Sequence, residues 1–258
     1  MNPHIFLRST TVLAALLLVV PSLSARAGVD ISVGGTTNLA PLLIQAAAAY
    51  ENSHPGVTIS VSSTSSGAGI ASLKKHDIDI AMSDVAVDDV EFGDNVLGSV
   101  GFAFVANKDC GIKNLAREQL IAIFSGKVTN WKDAGGSDRR IALIGREIGT
   151  GTRFVFEDNV AKTTIPIRVE ANATAVLNAV ASTSGALGYL ASGFLGNHQD
   201  LLVAYQGVMP TPVTIRTREY RFSTSEHLYT YKNPRPDVAA FVQYVESSTD
   251  QLRANGIY

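Results

Sequence analysis

Cysteine is nearly absent from this 258-residue chain, which has a single thiol, at Cys110. One cysteine excludes an internal disulfide. Histidine is scarce as well, and His54, His76, His198 and His227 never lie three or four positions apart, as the ligands of a helical metal site would. We therefore expect an inert thiol, and neither a metal nor a cofactor.

Charged residues make up only 17% of the chain, and the formal net charge is −2. Residues 1–27 contain two arginines and no acid, so the remainder is more acidic still. A bulk basic surface, which nucleic acid would need, is therefore excluded. Hydrophobic residues reach 46%, which suffices for a substantial core in one or two domains.

Long apolar runs are missing too. The run Val12–Val20 is too short for a membrane span, follows Arg8, and precedes the small-x-small sequence Ala25–Ala27. This pattern predicts a signal peptide at residues 1–27, cleaved after Ala27, and hence a periplasmic protein; an uncleaved signal anchor is the alternative. No cysteine follows the cleavage position, so no lipid anchor of the lipoprotein type is predicted.

The most informative segment is Gly145–Phe156, which reads G-R-E-I-G-T-G-T-R-F-V-F. Its glycines allow a sharp turn ahead of a helix-compatible apolar run. The first amide groups of a helix bind anions because they have no partner within the helix. Arg146 adds a planar fork of donors that suits a tetrahedral oxyanion. Taken by itself, the segment could equally be a glycine-rich turn with a surface arginine that binds no anion.

Two segments in the first third of the chain have the same form. Gly34–Asn38 follows the strand-like run Asp30–Val33, and Ser65–Gly69 follows Val57–Val61. Each then leads into a helix-compatible sequence. Ligands of α/β proteins bind outside the carboxyl ends of strands. The three turns are therefore expected to converge on one anion.

Asp84 follows the strand-like run Asp79–Met82, so an acidic residue lies at the end of another predicted strand. A carboxylate repels an anion unless the ligand carries a proton that the carboxylate accepts. Hydrogen phosphate carries such a proton, and sulfate at neutral pH does not. The alternative is that Asp84 caps a helix through Val87–Val90.

Taken together, these segments resemble a known family, the phosphate-binding protein of the bacterial high-affinity phosphate ABC importer. The resemblance runs over nearly all of the chain after the signal peptide and depends on the order and spacing of several motifs. These motifs are G-G-T-T-N-L-A-P, S-S-G-A-G-I, D-I-A-M-S-D, F-S-G-K-V-T-N-W, R-E-I-G-T-G-T-R, G-A-L-G-Y-L and H-L-Y-T-Y.

The resemblance implies a set of phosphate ligands: a threonine and the next amide at the first turn, a serine at the second, an acceptor aspartate, and an arginine followed by Ser-Gly-Thr. In this sequence they fall on Thr37, Asn38, Ser66, Asp84, Arg146, Thr150, Gly151 and Thr152. Thr150 replaces the usual serine and keeps the hydroxyl. Ile148 stands where many members carry an acid that holds the arginine, and Glu147 is the neighbouring acid that would substitute for it.

For the fold, the resemblance implies a two-lobed α/β protein of the type II periplasmic binding protein kind. Two crossover strands would join the lobes around a central ligand cleft, with crossings at Val105–Lys108 and Tyr220–His227. The first lobe would comprise residues 28–106 and 225–258, and the second would comprise residues 107–224.

Hydrophobic periodicity independently favours an α/β architecture. Helices are predicted at Leu42–Tyr50, Leu115–Phe124, Ala175–Ala181 and Val238–Val245, and strands at Val100–Ala106, Ile141–Ile144, Leu187–Tyr189 and Leu228–Tyr231. Trp131 and Tyr189 are expected to pack inside a lobe rather than to contact the ligand.

The predicted function is binding of inorganic phosphate by a periplasmic monomer and its transient delivery to an inner-membrane ABC permease. A binding protein for another oxyanion, such as sulfate or molybdate, is one alternative; a phosphate sensor or scavenger and a phosphate-ester hydrolase are others. The chain lacks a G-x-x-x-x-G-K-[ST] loop, a G-x-S-x-G elbow and a histidine near the anion segments. We therefore expect no enzymatic activity.

Overall fold

The computed structural model describes residues 28–258, and the predicted signal peptide lies outside the described residues. Within that range the chain forms ten strands and eight α-helices. The strands are β1 (Val29–Gly35), β2 (Val57–Ser63), β3 (Ile80–Ser83), β4 (Phe92–Ala106), β5 (Asn114–Leu115), β6 (Ala142–Arg146), β7 (Arg168–Glu170), β8 (Ala186–Ala191), β9 (Leu202–Tyr205) and β10 (Ser223–Tyr231). The helices are α1 (Ala40–Ser53), α2 (Ser66–Lys74), α3 (Arg117–Phe124), α4 (Gly151–Asn159), α5 (Ala173–Ser182), α6 (Pro212–Arg216), α7 (Pro236–Ser247) and α8 (Thr249–Ala254). None of the helices in the described part of the chain is long and apolar enough to cross a membrane.

The strands form one mixed sheet. Eight of them follow one another in the order β2-β1-β3-β10-β4-β8-β6-β7, while β9 pairs with β4 and with the short β5. β1 is parallel to β2 and β3, and β6 is parallel to β7 and β8, whereas β10 is antiparallel to both of its neighbours. Helices follow β1, β2 and β6 directly. The predicted α/β class is confirmed.

The strands β4 and β10 connect the two halves of this sheet. β4 pairs with β10 over Phe92–Gly101 and with β8 over Phe102–Ala106, so it changes partner between Gly101 and Phe102. The apolar run stays buried on both sides of this change. The crossing predicted at Val105–Lys108 stays a prediction. The lobe boundaries derived from the resemblance stay a prediction.

Each half of the sheet has a core of its own. In the half that we term the first lobe, α1 and α7 pack on β1 through Leu42, Phe241 and Ile31. In the other half, the second lobe, Phe104 of β4 and Phe124 of α3 belong to a separate aromatic cluster. The first lobe contains β1, β2, β3, α1, α2, α7 and α8, the second contains β5 to β9 and α3 to α6, and β4 and β10 are shared.

Trp131 and Tyr189 lie in the core of the second lobe, as predicted. Both are fully buried. The indole Nε1 of Trp131 donates to the Gly185 carbonyl oxygen at 2.9 Å, and the Tyr189 ring stacks on Phe156 with centroids 4.2 Å apart. Cys110 is buried as well, and this burial raises the pKa of the thiol to about 12 because the thiolate is poorly solvated there.

Two local predictions differ from the structure. Leu115 belongs to β5, where it pairs with Tyr205 of β9, and α3 begins only at Arg117. No helix forms at Val87–Val90. The Val87 amide instead donates to the Tyr229 hydroxyl at 2.8 Å. The alternative in which Asp84 caps a helix is therefore wrong.

Candidate functional site

Three helices begin at one cleft between the lobes. α1 follows the turn Thr36–Asn38 after β1, α2 begins at Ser66 after β2, and α4 begins at Gly151 after β6. β1 lies parallel to β2, so these two strands end at the same edge of the sheet. The predicted convergence of the three turns is thus present, and the helix starts favour an anion through their free amides and dipoles.

Arg146, at the end of β6, is only 2% exposed. Its Nε donates to the Glu170 carbonyl oxygen at 3.1 Å, and its Nη2 donates to the Ala171 carbonyl oxygen at 2.9 Å. Nη1 and Nη2 also donate to the Thr37 hydroxyl, at 3.3 and 3.4 Å. Main-chain carbonyls at the end of β7 therefore hold the guanidinium in place.

Glu147 does not replace the missing acid at Ile148. Both side chains are exposed, and that of Ile148 is 83% accessible to solvent. Among the described residues the Arg146 guanidinium donates to Glu170, Ala171 and Thr37, and not to the Glu147 carboxylate. Arginine positioning in this chain therefore does not depend on a carboxylate from that turn.

Asp84, after β3, is fully buried. Its Oδ2 accepts a hydrogen bond from Asn38 Nδ2 at 2.8 Å, and its main-chain amide donates to Ser66 Oγ at 3.2 Å. The Thr224 hydroxyl donates to the Asp84 carbonyl oxygen at 3.2 Å. Asn38 therefore orients the carboxylate, while Ser66 and Thr224 fix the main chain of Asp84.

The predicted site residues of the two lobes are in direct contact. Asn38 Nδ2 donates to Thr152 Oγ1 at 3.1 Å, so one amide group links the lobes. A Cβ at position 151 would lie 2.6 Å from Ser66 Oγ and nearer still to the Asp84 carboxylate. Only glycine permits this approach, and the lobes are closed on each other.

Thr150 is the N-cap of α4. Its hydroxyl accepts from the Arg153 amide at 3.4 Å and donates to the Glu147 carbonyl oxygen at 2.8 Å. Buried Arg153 donates from Nη1 to the Arg146 carbonyl oxygen at 3.2 Å, and its Nε pairs with Glu157 at 2.6 Å. This second arginine therefore supports the chain on which Arg146 lies.

Burial shifts the pKa values of Asp84 and Arg146, the two charged residues at the centre of the cleft. Burial raises the pKa of Asp84, while hydrogen bonds, chiefly from Thr36 and Glu226, and the charge of Arg146 act in the opposite direction without cancelling it. Burial also lowers the pKa of Arg146, and the nearby Asp84 opposes that effect. The cleft thus combines a buried cation with a buried carboxyl group that has a raised affinity for a proton.

Two buried charged residues at the site were not predicted. Glu226 of β10 is 1% exposed and contacts Asp84. It stands immediately before the motif H-L-Y-T-Y, and an acid leading into a buried strand was the available signal. Arg153 had a signal of its own, because it lies four residues before Glu157 on α4.

Two cavities flank this cluster along the seam between the lobes. One, of about 500 Å³, lies in front of Arg146 and Thr150 and also touches Ser65 of the first lobe. The other, of about 310 Å³, lies beside Gly151 and is bordered by the half-exposed ring of Phe154. Both cavities are lined by residues of the two lobes.

The chemistry available here is that of anion capture. Residues 28–258 contain no group of three or more His, Cys, Asp or Glu side chains that would hold a metal ion. The cleft offers a guanidinium, helix-start amides and hydroxyl groups as donors, with Asp84 as an acceptor. Such a set can hold an oxyanion and accept one proton from it.

Comparison with known proteins gives one family match. The sequence matches the family model described as a PBP superfamily domain over residues 21–249. This match spans most of the chain and includes every predicted site residue.

Individual relatives match most of this chain, and solved structures share its fold. The phosphate-binding protein PstS of Bacillus subtilis (strain 168) is 29% identical over 234 residues, which cover 88% of this chain and 78% of that protein. The structure of a candidate phosphate ABC transporter substrate-binding protein from Clostridium perfringens, solved with bound phosphate, has a TM-score of 0.81 at 24% identity and covers 88% of this chain and 98% of that one. An ABC-type phosphate transport receptor from Vibrio cholerae has a TM-score of 0.76 at 27% identity, with the same coverage of 88% and 98%. The predicted two-lobed fold is confirmed.

Proposed function

Because this chain belongs to the PBP superfamily, we propose that it binds inorganic phosphate between its lobes and delivers the anion to an ABC permease of the inner membrane. The observation that carries the proposal is the burial of the Arg146 guanidinium and the Asp84 carboxyl group in one cleft, close enough for the charge of each to shift the pKa of the other. The cation attracts an oxyanion, and the carboxylate accepts a proton from it. Hydrogen phosphate satisfies both groups, whereas sulfate satisfies only the first.

The relatives support phosphate as the ligand. The Bacillus subtilis relative is named a phosphate-binding protein, and the Vibrio cholerae structure is described as an ABC-type phosphate transport receptor. Both match about nine-tenths of this chain, so the lobes and the cleft between them correspond as a unit. We infer the transient permease partner from the same similarity.

We assign eight residues as phosphate ligands, and their placement around one buried cluster supports the assignment. Hydroxyl groups and amides at the starts of α2 and α4 are the donors to the anion, with the arginine between the lobes. The ligands are Thr37, Asn38, Ser66, Asp84, Arg146, Thr150, Gly151 and Thr152.

We place the mature protein in the periplasm as a monomer. The support is the signal-peptide pattern of residues 1–27 with its small-x-small sequence ending at Ala27. The slightly acidic net charge argues against a nucleic acid partner. Mass spectrometry of the protein secreted by its host would test cleavage after Ala27, and an intact N-terminus would favour the signal anchor.

Isothermal titration calorimetry of the mature chain tests the ligand. Phosphate, sulfate, molybdate and a phosphate monoester are titrated separately. We expect one phosphate site and much weaker binding of sulfate, because the sulfate dianion offers Asp84 no proton. If sulfate or molybdate binds more tightly than phosphate, that anion is the ligand and phosphate is not. If no anion binds, the proposed transport function is wrong.

We also propose that the protein is not an enzyme. A threonine hydroxyl attacks poorly unless a base activates it. Among the described residues the Thr150 hydroxyl donates to the Glu147 carbonyl oxygen and the Thr152 hydroxyl accepts from Asn38, so neither donates to a carboxylate or a histidine. A chromogenic phosphatase assay on the same preparation should show no turnover. Hydrolysis that disappears in Thr152→Val, but persists in the more distant Thr163→Val, would favour a hydrolase.

A further inference from the structure

The ladder between β3 and β10 brings a second carboxyl group to Asp84. In this antiparallel pair His227 lies opposite Ser83 at the end of the ladder, and Glu226 and Asp84 are the next residues of the two segments. The β10–β4 ladder is irregular between Glu226 and His227. Such bulges commonly redirect a side chain beside a binding site.

Both carboxyl groups are buried, with exposed fractions of 0% for Asp84 and 1% for Glu226. When both are ionised, Asp84 Oδ1 and Glu226 Oε2 have no hydrogen-bond partner among the described residues. Two like charges would then touch inside the protein, which is strongly unfavourable. A single proton between the two groups removes one charge and allows a hydrogen bond between the two carboxyl groups.

The proton belongs on Glu226. Hydrogen bonds from Thr36 and Asn38 and the charge of Arg146 favour the ionised form of Asp84. Glu226 has no comparable support, because burial and the adjacent Asp84 both raise the pKa of Glu226 well above its ordinary value. Protonated Glu226 therefore donates to ionised Asp84.

Within the described residues, no other charged side chain on β4 or β10 pairs with Glu226. Opposite Glu226 on β4 lies Gly98, which carries no charge. The next residue of β10, His227, points to the opposite face of the strand and pairs through Nδ1 with Asp94 at 2.8 Å. Of the charged groups outside the pair, Arg146 therefore acts on Asp84, and the pKa of Glu226 is set by burial and by Asp84.

We propose that Glu226 is a positioning residue for the ligand: it holds a proton, donates it to Asp84, and keeps Asp84 charged and oriented as the acceptor of the ligand's own proton. This inference rests on the proposed function, in which Asp84 accepts from hydrogen phosphate. The two carboxyl groups then carry one negative charge beside one arginine, which leaves the cleft favourable to an anion. Ionisation of Glu226 adds a second negative charge, so affinity falls as pH rises through that ionisation.

Two variants test whether phosphate binding requires a hydrogen-bond donor at position 226. Glu226→Gln keeps a donor of nearly the same shape, and Glu226→Ala removes it. At neutral pH we expect Glu226→Gln to bind phosphate within about threefold of the parent and Glu226→Ala to bind at least about tenfold more weakly, because Asp84 loses its donor. Glu246→Gln, at an exposed position of α7, is the matched control and should bind like the parent.

Two further measurements report the proton itself. The first is calorimetry from neutral to alkaline pH. The ionisation of phosphate itself affects the parent and Glu226→Gln equally, so the ratio of their affinities reports only the ionisation of Glu226. As pH rises, the phosphate affinity of the parent should fall relative to that of the variant. The infrared spectrum of the parent should contain the C=O band of a buried protonated carboxyl group, absent from Glu226→Gln and retained in Glu246→Gln.

Equal losses of affinity in Glu226→Ala and Glu226→Gln would overturn the proposal. So would an affinity ratio that is independent of pH, or an infrared band that survives in Glu226→Gln. Circular dichroism of each variant separates these outcomes from misfolding. A folded parent protein that binds no phosphate would instead overturn the proposed function, and the infrared band would then show independently whether Glu226 holds a proton.

Discussion

The guanidinium of Arg146 in the second lobe donates to the hydroxyl of Thr37 in the first, at 3.3 and 3.4 Å. The same guanidinium is held from behind by the carbonyl oxygens of Glu170 and Ala171. It is therefore already ordered at the seam between the lobes. An anion that binds there loses little free energy to the ordering of the arginine, which favours affinity.

Removing that cation should weaken binding strongly. In Arg146→Ala we expect phosphate affinity to fall well beyond tenfold, because loss of one partner of a buried charge pair costs about 2 to 5 kcal/mol. Arg146→Lys should recover only part of the affinity, since an ammonium lacks the planar fork of donors. Calorimetry measures both, with Arg117→Ala, at an exposed position of α3, as the control. Parent-like binding by Arg146→Ala would place the site elsewhere.

Selectivity should depend on the carboxylate of Asp84. In Asp84→Asn an amide replaces the acceptor and can donate to sulfate, so the phosphate-to-sulfate affinity ratio should fall by at least about tenfold. Competition titrations with the two anions give this ratio directly. Asp88→Asn, at an exposed position, should leave it unchanged. A ratio that Asp84→Asn does not alter would contradict the role of Asp84 as proton acceptor.

Closure should depend on Gly151. Alanine suits the first turn of α4, so Gly151→Ala should fold normally, but the added methyl group meets Ser66 and Asp84 across the seam. We expect the variant to lose phosphate-dependent compaction in small-angle scattering and to bind phosphate more weakly. In Gly67→Ala the new methyl group has its nearest neighbour 4.0 Å away, so this control should still compact. Normal compaction of Gly151→Ala would show that the contact does not limit closure.

The thiol of Cys110 should be unreactive in the folded protein. Its pKa is raised to about 12, so at pH 8 only about one molecule in ten thousand carries the reactive thiolate, and the sulfur is buried as well. The reactive fraction rises about tenfold with each pH unit until the solution reaches that value. A chromogenic disulfide reagent should label the protein quickly in denaturant and very slowly without it. Rapid labelling of the folded chain would contradict the burial of this residue.

Sequence alone predicted the fold class and the elements around the cleft. The signals for Gly34–Asn38, Ser65–Gly69 and Gly145–Phe156 are local, because glycine permits a tight turn and free amides mark any helix start. Helices such as α1 and α7 were predicted by the period of their apolar residues. Those signals depend only on neighbours along the chain.

Tertiary structure decided the rest. The arginine is held by carbonyl oxygens 24 and 25 residues further along the chain, where sequence suggested an adjacent acid. Glu226 reaches Asp84 only because β10 pairs with β3, and β4 changes partner in the middle of a uniform apolar run. Strand pairing joins residues that are far apart in the chain, and neither periodicity nor turn chemistry specifies which strands pair. Asp84 was therefore identified from sequence as the candidate proton acceptor, and the buried carboxyl group beside it was not.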